Sequence, residues 1–267
     1  MIIQHNMASM NTNRQLGIVA GNLQKATEKL SSGYRINRAA DDAAGLSISE
    51  KMRGQVRGLN RAADNAQDGI SLIQTAEGAM DQQHSILQRA RELAVQAAND
   101  TNVASDREAI AKELTALKAE FDRITTQTEY NTQKLCNGSF SGKHLQVGAN
   151  KEQDIEITID PTVMTDISTQ VSSYSKATAA IEKIEANITA LSTTRSQLGA
   201  IQNRLEYTIK NNENTSENLQ SAESRIRDVD MADEMTKFSK ENILQQAATS
   251  MLAQANQSTQ GVLSLLQ

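Results

Sequence analysis

The sequence predicts a mainly α protein, with long antiparallel helices in a coiled-coil-like bundle and a small β-hairpin region. Apolar residues recur at alternating steps of three and four along most of the 267 residues. Proline occurs once, at Pro161, so no proline interrupts a helix elsewhere in the chain. Tryptophan is absent and aromatic residues make up 3% of the chain, which favours narrow helix-to-helix seams over the broad core of an enzyme.

The first predicted element is an N-terminal helix with one apolar face. That face is formed by Leu16, Val19, Leu23, Ala26 and Leu30. A Gly/Ala-rich connector over residues 39–45 follows, and it contains Asp41 and Asp42. We expect these two acids to cap the next helix at its positive end, rather than to form a pair for acid–base catalysis.

The second element is a single long helix over residues 46–98, about 80 Å in length at about 1.5 Å per residue. Its heptad seam consists of Met52, Val56, Leu59, Ala63, Ala66, Ile70 and Ile73. Glycines at 54, 58, 69 and 78 lie inside this helix, and each weakens a helix by about 1 kcal/mol relative to alanine. Because small residues let backbones approach, we expect these glycines on a helix-to-helix seam.

The third element is a helix over residues 105–127 that returns antiparallel after a short break at residues 99–102. Its apolar positions are Ile110, Leu114, Leu117, Phe121 and Ile124. Ser105 followed three residues later by Glu108 predicts a capping box at its start.

Residues 128–162 predict the β-hairpin region. Asn137-Gly138 is a preferred two-residue hairpin turn. Residues 145–147 and 155–159 alternate with period two and are joined by a turn over residues 148–154. The only cysteine, Cys136, lies here, which excludes an intrachain disulfide and a cysteine-built metal site. We expect Cys136 to be partly buried near a turn.

Residues 175–226 form the next predicted helix. Its seam contains Ile184, Ile188, Leu191, Leu198, Leu205, Ile209 and Leu219, with polar interruptions at Arg195, Gln202, Asn212 and Ser216. Polar seam positions cost stability but can fix register and partner.

The C-terminal segment is helical by pattern and carries no charged residue from 242 to 267. One apolar stripe contains Leu244, Ala248, Met251, Ala255, Val262 and Leu266, and a second contains Ile243, Ala247, Leu252 and Leu265. Such a helix has more apolar surface than one partner helix can cover. We therefore expect self-assembly through the two ends, carried by Leu16, Leu23, Leu30, Leu244, Met251, Ala255, Val262 and Leu266.

Several function classes find no support in the sequence. The net charge of −5 comes from mixed signs without a clustered basic face, so we expect no nucleic-acid partner. No stretch is long and apolar enough for a membrane span. The three histidines, His5, His84 and His144, stand in no zinc-protease pattern. We expect no metal, no cofactor and no enzymatic activity. The N-terminus has no cleavable secretory signal, which by itself points to the cytoplasm.

Four segments, at residues 30–37, 37–49, 88–96 and 219–232, resemble signatures of the bacterial flagellins, and they stand in the order found in that family. The resemblance implies an inner paired-helix assembly domain formed by residues 1–44 with 223–267. It further implies that residues 45–222 form a helical rod with a β-hairpin. Only a short link follows the hairpin, so the chain looks like a short flagellin without the outer domains of larger members.

The resemblance also implies a function. Members of this family polymerise into the flagellar filament for motility, and they leave the cell unfolded through the flagellar export channel by an uncleaved signal. The implied location is extracellular, and the implied partners are copies of the chain itself, the export apparatus, an export chaperone, and the cap and hook-junction proteins. The alternative is a hook–filament junction protein, which shares the paired-helix design and differs in copy number.

A host partner is implied as well, since flagellins are recognised by the innate immune receptor Toll-like receptor 5. Arg89, Leu93 and Glu113 match the family positions central to that contact. Arg89 and Leu93 are four residues apart, so we expect them on one helix face with Glu113 alongside. The alternative interpretation is that these residues serve subunit packing.

Overall fold

The computed structural model describes residues 6–166 and 171–264, and for residues 258–264 it describes the backbone only. These residues form five helices and two two-stranded antiparallel sheets. In chain order the elements are α1 (Met7–Ser32), α2 (Ala43–Ala97), α3 (Ala104–Gln127), β1 (Glu129–Tyr130), β2 (Gln133–Lys134), β3 (Lys143–Gln146), β4 (Asp154–Ile157), α4 (Tyr174–Arg227) and α5 (Met231–Ser264). The predicted mainly α class with a small β-hairpin region is confirmed.

The chain divides into two compact units. Unit 1 comprises Met1–Gly54 with Asn218–Gln267, and unit 2 comprises Gln55–Glu217. Helices α2 and α4 contribute residues to both units. The assignment of such units to layers of an assembly stays a prediction.

The core of unit 2 lies between α2, α3, α4 and the two hairpins. In α2, Arg89 pairs with Glu113 of α3, and the earlier Gln83 donates to the later Thr125, so these helices run antiparallel as predicted. The heptad positions supply the buried apolar side chains, among them Ile70, Ile73, Met80, Leu87, Ile110, Leu114, Phe121, Ile184, Leu191, Leu198 and Leu205.

Helix α3 begins earlier than predicted, and the predicted capping box is wrong. The N-cap residue is Val103, whose backbone N–H donates to the Asp106 carboxylate at 3.2 Å. Ser105 lies inside the helix, and Glu108 pairs with Lys112 one turn further on. Asp106 provides the reciprocal half of a capping box, so Glu108 is left for an ordinary helical ion pair.

The β region contains two hairpins, and the predicted turn at Asn137-Gly138 is not one of their turns. β1 and β2 are joined by Asn131 and Thr132, which have φ values of 47° and 65°. Asn137 and Gly138 lie instead in a segment that runs beside the chain after β4, since Thr162 N–H donates to the Cys136 carbonyl at 3.1 Å. The chain bends over residues 135–138, where Gly138 has a φ of 82°, but this bend lies outside the turns of the two hairpins.

The predicted hairpin formed by residues near 145 and 155 is confirmed as β3 paired with β4. Leu145 stands opposite Ile155 in this antiparallel register. Ile155 and Ile157 are buried while the residues between them are exposed, which is the period-two pattern of a strand with one face on the core.

Two of the four glycines predicted on a seam of α2 face the β3–β4 hairpin, and Gly69 also faces Leu205 on the seam with α4. A Cβ added at Gly58 would lie 2.8 Å from the Cβ of Ala149, and one at Gly69 would lie 2.4 Å from the Cδ2 of Leu145. A Cβ at Gly54 or Gly78 would meet nothing within 4 Å. Two of these glycines thus let the β3–β4 hairpin approach α2 closely, and the other two have no such contact.

The polar interruptions of the α4 seam have partners. Asn212 is buried and its Nδ2 donates to the Val147 carbonyl at 2.8 Å. The hydroxyl of Ser216 donates to the Asn60 Oδ1 at 2.8 Å. These bonds connect α4 to the residue after β3 and to α2. At these seam positions, hydrogen bonds therefore take the place of apolar packing.

Unit 1 pairs α1 with α5. Asn6 caps α1 and its Nδ2 donates to the Ala255 carbonyl at 3.0 Å. At the other end of α1, Gly33 adopts a φ of 73° and its carbonyl accepts the Val229 N–H at 3.0 Å. The two helices are therefore antiparallel, and residues far apart in the chain meet at both ends of the pair.

Candidate functional site

The two acids of the connector before α2 act as capping groups. Asp42 Oδ1 accepts the Gly45 N–H at 2.8 Å, which caps α2 as predicted. Asp41 caps the preceding turn instead, because its Oδ2 accepts the N–H groups of Arg38 and Asn37 at 3.0 and 3.1 Å. The Arg38 N–H, followed by that of Asn37, holds the pKa of Asp41 below its ordinary value. Both carboxylates are thus engaged by backbone amides.

Cys136 is more deeply buried than predicted, with no exposed surface. Desolvation raises the pKa of its thiol to about 11, so the reactive thiolate is scarce at neutral pH. Within residues 6–166 and 171–264, no group of three or more His, Cys, Asp and Glu side chains could hold a metal ion. No helix in the same residues is long and apolar enough to cross a membrane.

A cavity of about 500 Å³ lies in unit 1, among α1, the connector and the start of α5. Its lining carries both signs of charge, from Lys25, Lys29, Arg35, Lys237, Asp41, Asp42, Asp230, Asp233 and Glu234. Glu234 is buried and its Oε2 lies 3.0 Å from the Lys237 Nζ. The positive and negative side chains of the lining neutralise one another, so the cavity has no electrostatic preference for an anion or a cation.

The predicted assembly residues of α1 lie in the helix pair of unit 1. Leu16, Leu23 and Leu30 are half-buried on α1, and Ala26 on the same stripe is buried. The stripe is thus partly covered within the chain itself.

The predicted assembly residues of α5 remain largely uncovered. Met251 is 56% exposed and Leu244 is 40% exposed, while Ala255 is half-buried and accepts the bond from Asn6. The side chain of Val262 and the whole of Leu266 lie outside the described residues. Ile243, on the second predicted stripe, is 66% exposed.

Sequence reasoning missed further exposed apolar side chains in unit 1. They include Met7, Met10 and Ile18 on α1 and Met231 and Met235 on α5. Met7 and Met10 could have been identified as large apolar residues off the main stripe in a segment free of charge, whereas Met231 and Met235 lie among charged residues, where that signal is absent. Part of this surface is a shallow apolar groove along α5, lined by Met235, Thr236, Ser239, Lys240, Ile243 and Leu244.

The exposed apolar residues of α5 do not share one face. At about 100° per residue, Leu244 and Met251 point the same way, whereas Ile243 and Met235 point to other sides. A helix that is apolar on several sides is typical of one surrounded by several neighbours. Exposed apolar surface of this kind marks an association site.

The second candidate surface is the exposed edge between α2 and α3. Arg89 donates from Nε and Nη2 to the Glu113 Oε1 at 3.1 and 2.9 Å, and from Nη1 to the Glu92 Oε2 at 3.0 Å. The hydrogen bond to Glu113 is the main reason that the pKa of Arg89 is raised. The structure therefore brings together Arg89 and Glu113, as the sequence predicted.

Leu93 does not share that exposed edge. Only 2% of it is exposed, and it belongs to the core of unit 2. A separation of four residues rotates a side chain by about 40° around a helix. Because α2 packs against both α3 and α4, that rotation is enough to move Leu93 from the rim into the core. The exposed apolar residue of this stretch is Val95.

Comparisons with known proteins agree with these features. Residues 3–141 match the family described as the bacterial flagellin N-terminal helical region, and residues 181–266 match the bacterial flagellin C-terminal helical region. A flagellin of Halalkalibacterium halodurans is 56% identical over 271 residues, covering 100% of both chains. A flagellin of Bacillus subtilis is 46% identical, again covering 100% of both chains.

A solved structure also resembles this one in fold. It is a putative flagellar hook-associated protein from Vibrio parahaemolyticus, with a TM-score of 0.62 and 10% sequence identity, and the match covers 70% of this chain and 100% of the other. At that identity the likeness concerns the fold alone.

Proposed function

The chain belongs to the bacterial flagellin family and is a structural subunit of the flagellar filament, and from this premise we propose that its α5 surface drives polymerisation with copies of itself. The observation that carries the proposal is the exposed apolar surface of α5, including Leu244 and Met251. Burying a side chain of this size stabilises a contact by about 1.5–3 kcal/mol. Because such side chains point to several sides of α5, one helix can contact more than one neighbouring copy.

We further propose that the assembled filament is extracellular and serves motility, and that the chain has no catalytic role. The flagellar export apparatus, an export chaperone, and the cap and hook-junction proteins are its proposed partners. These proposals rest on family membership. The alternative, a hook–filament junction protein, differs in abundance, since a filament subunit is present in thousands of copies and a junction protein in few. Counting copies per cell by quantitative mass spectrometry separates the two.

Seeded polymerisation tests the assembly proposal. Purified monomer is mixed with short filament seeds at raised salt, beside a variant truncated after Glu241, and the products are imaged by electron microscopy. We expect long tubes from the full chain and none from the truncated variant, which lacks Leu244 and Met251. Circular dichroism of the variant checks that the helices of unit 2 remain folded. A full chain that stays monomeric under all conditions would contradict the proposal.

We also propose that the exposed edge between α2 and α3 binds the innate immune receptor Toll-like receptor 5. Support comes from Arg89 and Glu113, which form an exposed charged pair joined by two hydrogen bonds. Arginine is enriched among residues that dominate protein–protein binding. Leu93 contributes from below the surface, because its buried side chain anchors the turn of α2 that carries Arg89.

Binding measurements on single variants test the receptor proposal. Arg89→Ala and Glu113→Ala should each weaken binding to the receptor ectodomain by about 10-fold or more without changing the melting temperature. Leu93→Ala should lower stability by about 2–5 kcal/mol as well. The control is Arg123→Ala, which breaks an equally exposed pair with Glu120 elsewhere on α3. Equal affinity for all four variants and the native chain would overturn this proposal.

A further inference from the structure

A short segment between β2 and β3 has no role in the assembly or recognition surfaces. It contains Asn137, which is exposed, followed by Gly138 and Ser139. Glycine after asparagine leaves the intervening backbone nitrogen unshielded by any side chain. This is the one place in the 267 residues where glycine follows asparagine.

The side-chain carbonyl of Asn137 is held by two donors from the same residue. The backbone N–H of Ser139 donates to Oδ1 at 3.0 Å, and the Ser139 hydroxyl, which lies 3.2 Å from the Lys134 carbonyl, is closer to Oδ1 and donates to it at 2.6 Å. Within the described residues the Asn137 Nδ2 has no hydrogen-bond partner, so this group is free to leave into solvent. The carbonyl is thus polarised while its amide nitrogen is unrestrained.

We propose that Asn137 is a site of spontaneous deamidation, promoted by Ser139. In the first step the Gly138 backbone nitrogen loses its proton to solvent base and forms a bond to the Asn137 Cγ. Negative charge develops on Oδ1, where the two Ser139 donors stabilise it as preorganised donors stabilise an oxyanion. The Cγ–Nδ2 bond then breaks and ammonia leaves, taking up a proton.

Water completes the reaction. It adds to either carbonyl of the cyclic imide and opens the ring, which yields aspartate or isoaspartate at position 137. The net change is the gain of one water and the loss of one ammonia. Each modified chain gains one negative charge on an exposed loop.

The isoaspartate product has a structural consequence at Cys136. Isoaspartate inserts one extra carbon into the backbone between Cys136 and Gly138. There is little room for it, because even a Cβ at Gly138 would lie 3.1 Å from the Cβ of Pro161. The Cys136 carbonyl accepts the Thr162 N–H in the same segment. We therefore expect isoaspartate at position 137 to expose the otherwise buried Cys136 thiol.

Peptide mapping by mass spectrometry after incubation of the full chain at mildly alkaline pH tests the proposal. The internal control is Asn131, which is also exposed but is followed by Thr132. We expect modification at Asn137 to be at least about 10-fold faster than at Asn131. Thiol labelling of the isoaspartate fraction should show Cys136 reacting faster than in the native chain. Equal rates at the two asparagines would overturn the proposal.

Variants at position 139 test the part assigned to the serine. Ser139→Ala removes the hydroxyl donor and should slow modification of the folded chain by about 10-fold, whereas Ser139→Thr keeps a hydroxyl and should restore the rate. In denaturant the native chain and Ser139→Ala should react equally, because the donor geometry is lost. If the folded alanine variant reacts as fast as the folded native chain, Ser139 does not promote the reaction.

Discussion

Individual glycines of α2 show how the same residue type can be required at one position and dispensable at another. Gly69 faces Leu145 and Leu205, and its missing side chain leaves space for the β3–β4 hairpin. Gly78 lies in the same helix and is exposed, with nothing near its absent Cβ. The cost of glycine in a helix is about 1 kcal/mol at either position, but only Gly69 gains a close contact in return.

Alanine at these two positions should therefore act in opposite directions. Gly69→Ala places a methyl 2.4 Å from the Leu145 Cδ2, and the overpacking should destabilise the chain by about 1–3 kcal/mol. Gly78→Ala should stabilise it by about 0.5–1 kcal/mol. Thermal unfolding of both variants, followed by circular dichroism, measures the difference. A shift of the same sign for both would refute the role of Gly69 as a docking position.

At the scale of elements, α3 begins at a residue that cannot cap it with its side chain. Val103 is the N-cap, and its side chain has no oxygen to accept a bond from the first free N–H groups of the helix. It is also 60% exposed, so its side chain contributes little to packing. The start of α3 is thus secured mainly by the Asp106 carboxylate.

Replacing Val103 by a capping residue should stabilise the monomer. Val103→Ser supplies a hydroxyl at the N-cap and should add about 0.5–2 kcal/mol to the free energy of unfolding. The matched control is Val95→Ser, at an exposed valine in the interior of α2. Chemical denaturation of both variants measures the effect. An equal change at Val95 would mean that the cap is not the cause.

The elements were predictable to different degrees because different forces define them. The long helices follow from heptad spacing, since burial of one face fixes a helix over many residues. The position of the first hairpin turn did not follow from local turn preference. Asn131 and Thr132 form the turn between β1 and β2, whereas Asn137-Gly138, which has the preferred turn sequence, lies beside residues near Thr162. Those neighbours come from the packing of distant segments, which a local pattern does not contain.

The candidate sites show the same limit. Arg89 and Glu113 were expected to be neighbours, and they are, because an antiparallel return after a short break fixes which residues meet. The burial of Leu93 depends on how α2 is rotated about its axis between two partner helices. The spacing of apolar residues predicts that rotation only to within about one residue. The exposure of Met231 and Met235 required the structure, because methionine fills gaps in cores as well as lining adaptable surfaces.

For the molecule as a whole, the terminal helices combine internal pairing with uncovered apolar surface. One face of α1 is half-buried in its pair with α5, yet Ile243 and Met251 on α5 remain more than half exposed. Such exposed side chains add little to the stability of the monomer, whereas an assembly is stabilised by burying them. Association and monomer stability should therefore respond to different substitutions.

Met251→Gln separates the two properties. Glutamine has a similar length and helix propensity, so the melting temperature of the monomer should not change. The critical concentration for polymerisation should rise by about 10-fold or more, from the loss of apolar burial. Sedimentation of polymer at a series of protein concentrations gives this value. The control is Ser250→Gln, which places the same residue at the adjacent exposed position and should polymerise like the native chain.

The pairing of α1 with α5 sets an order of events during biosynthesis. The bond between Asn6 and the Ala255 carbonyl spans 249 positions of the chain. A ribosome releases α1 before α2, α3, α4 and α5, so α1 has no partner until α5 has been translated. A chain that terminates before α5 cannot form the helix pair. Only a chain translated through α5 therefore acquires the paired helices.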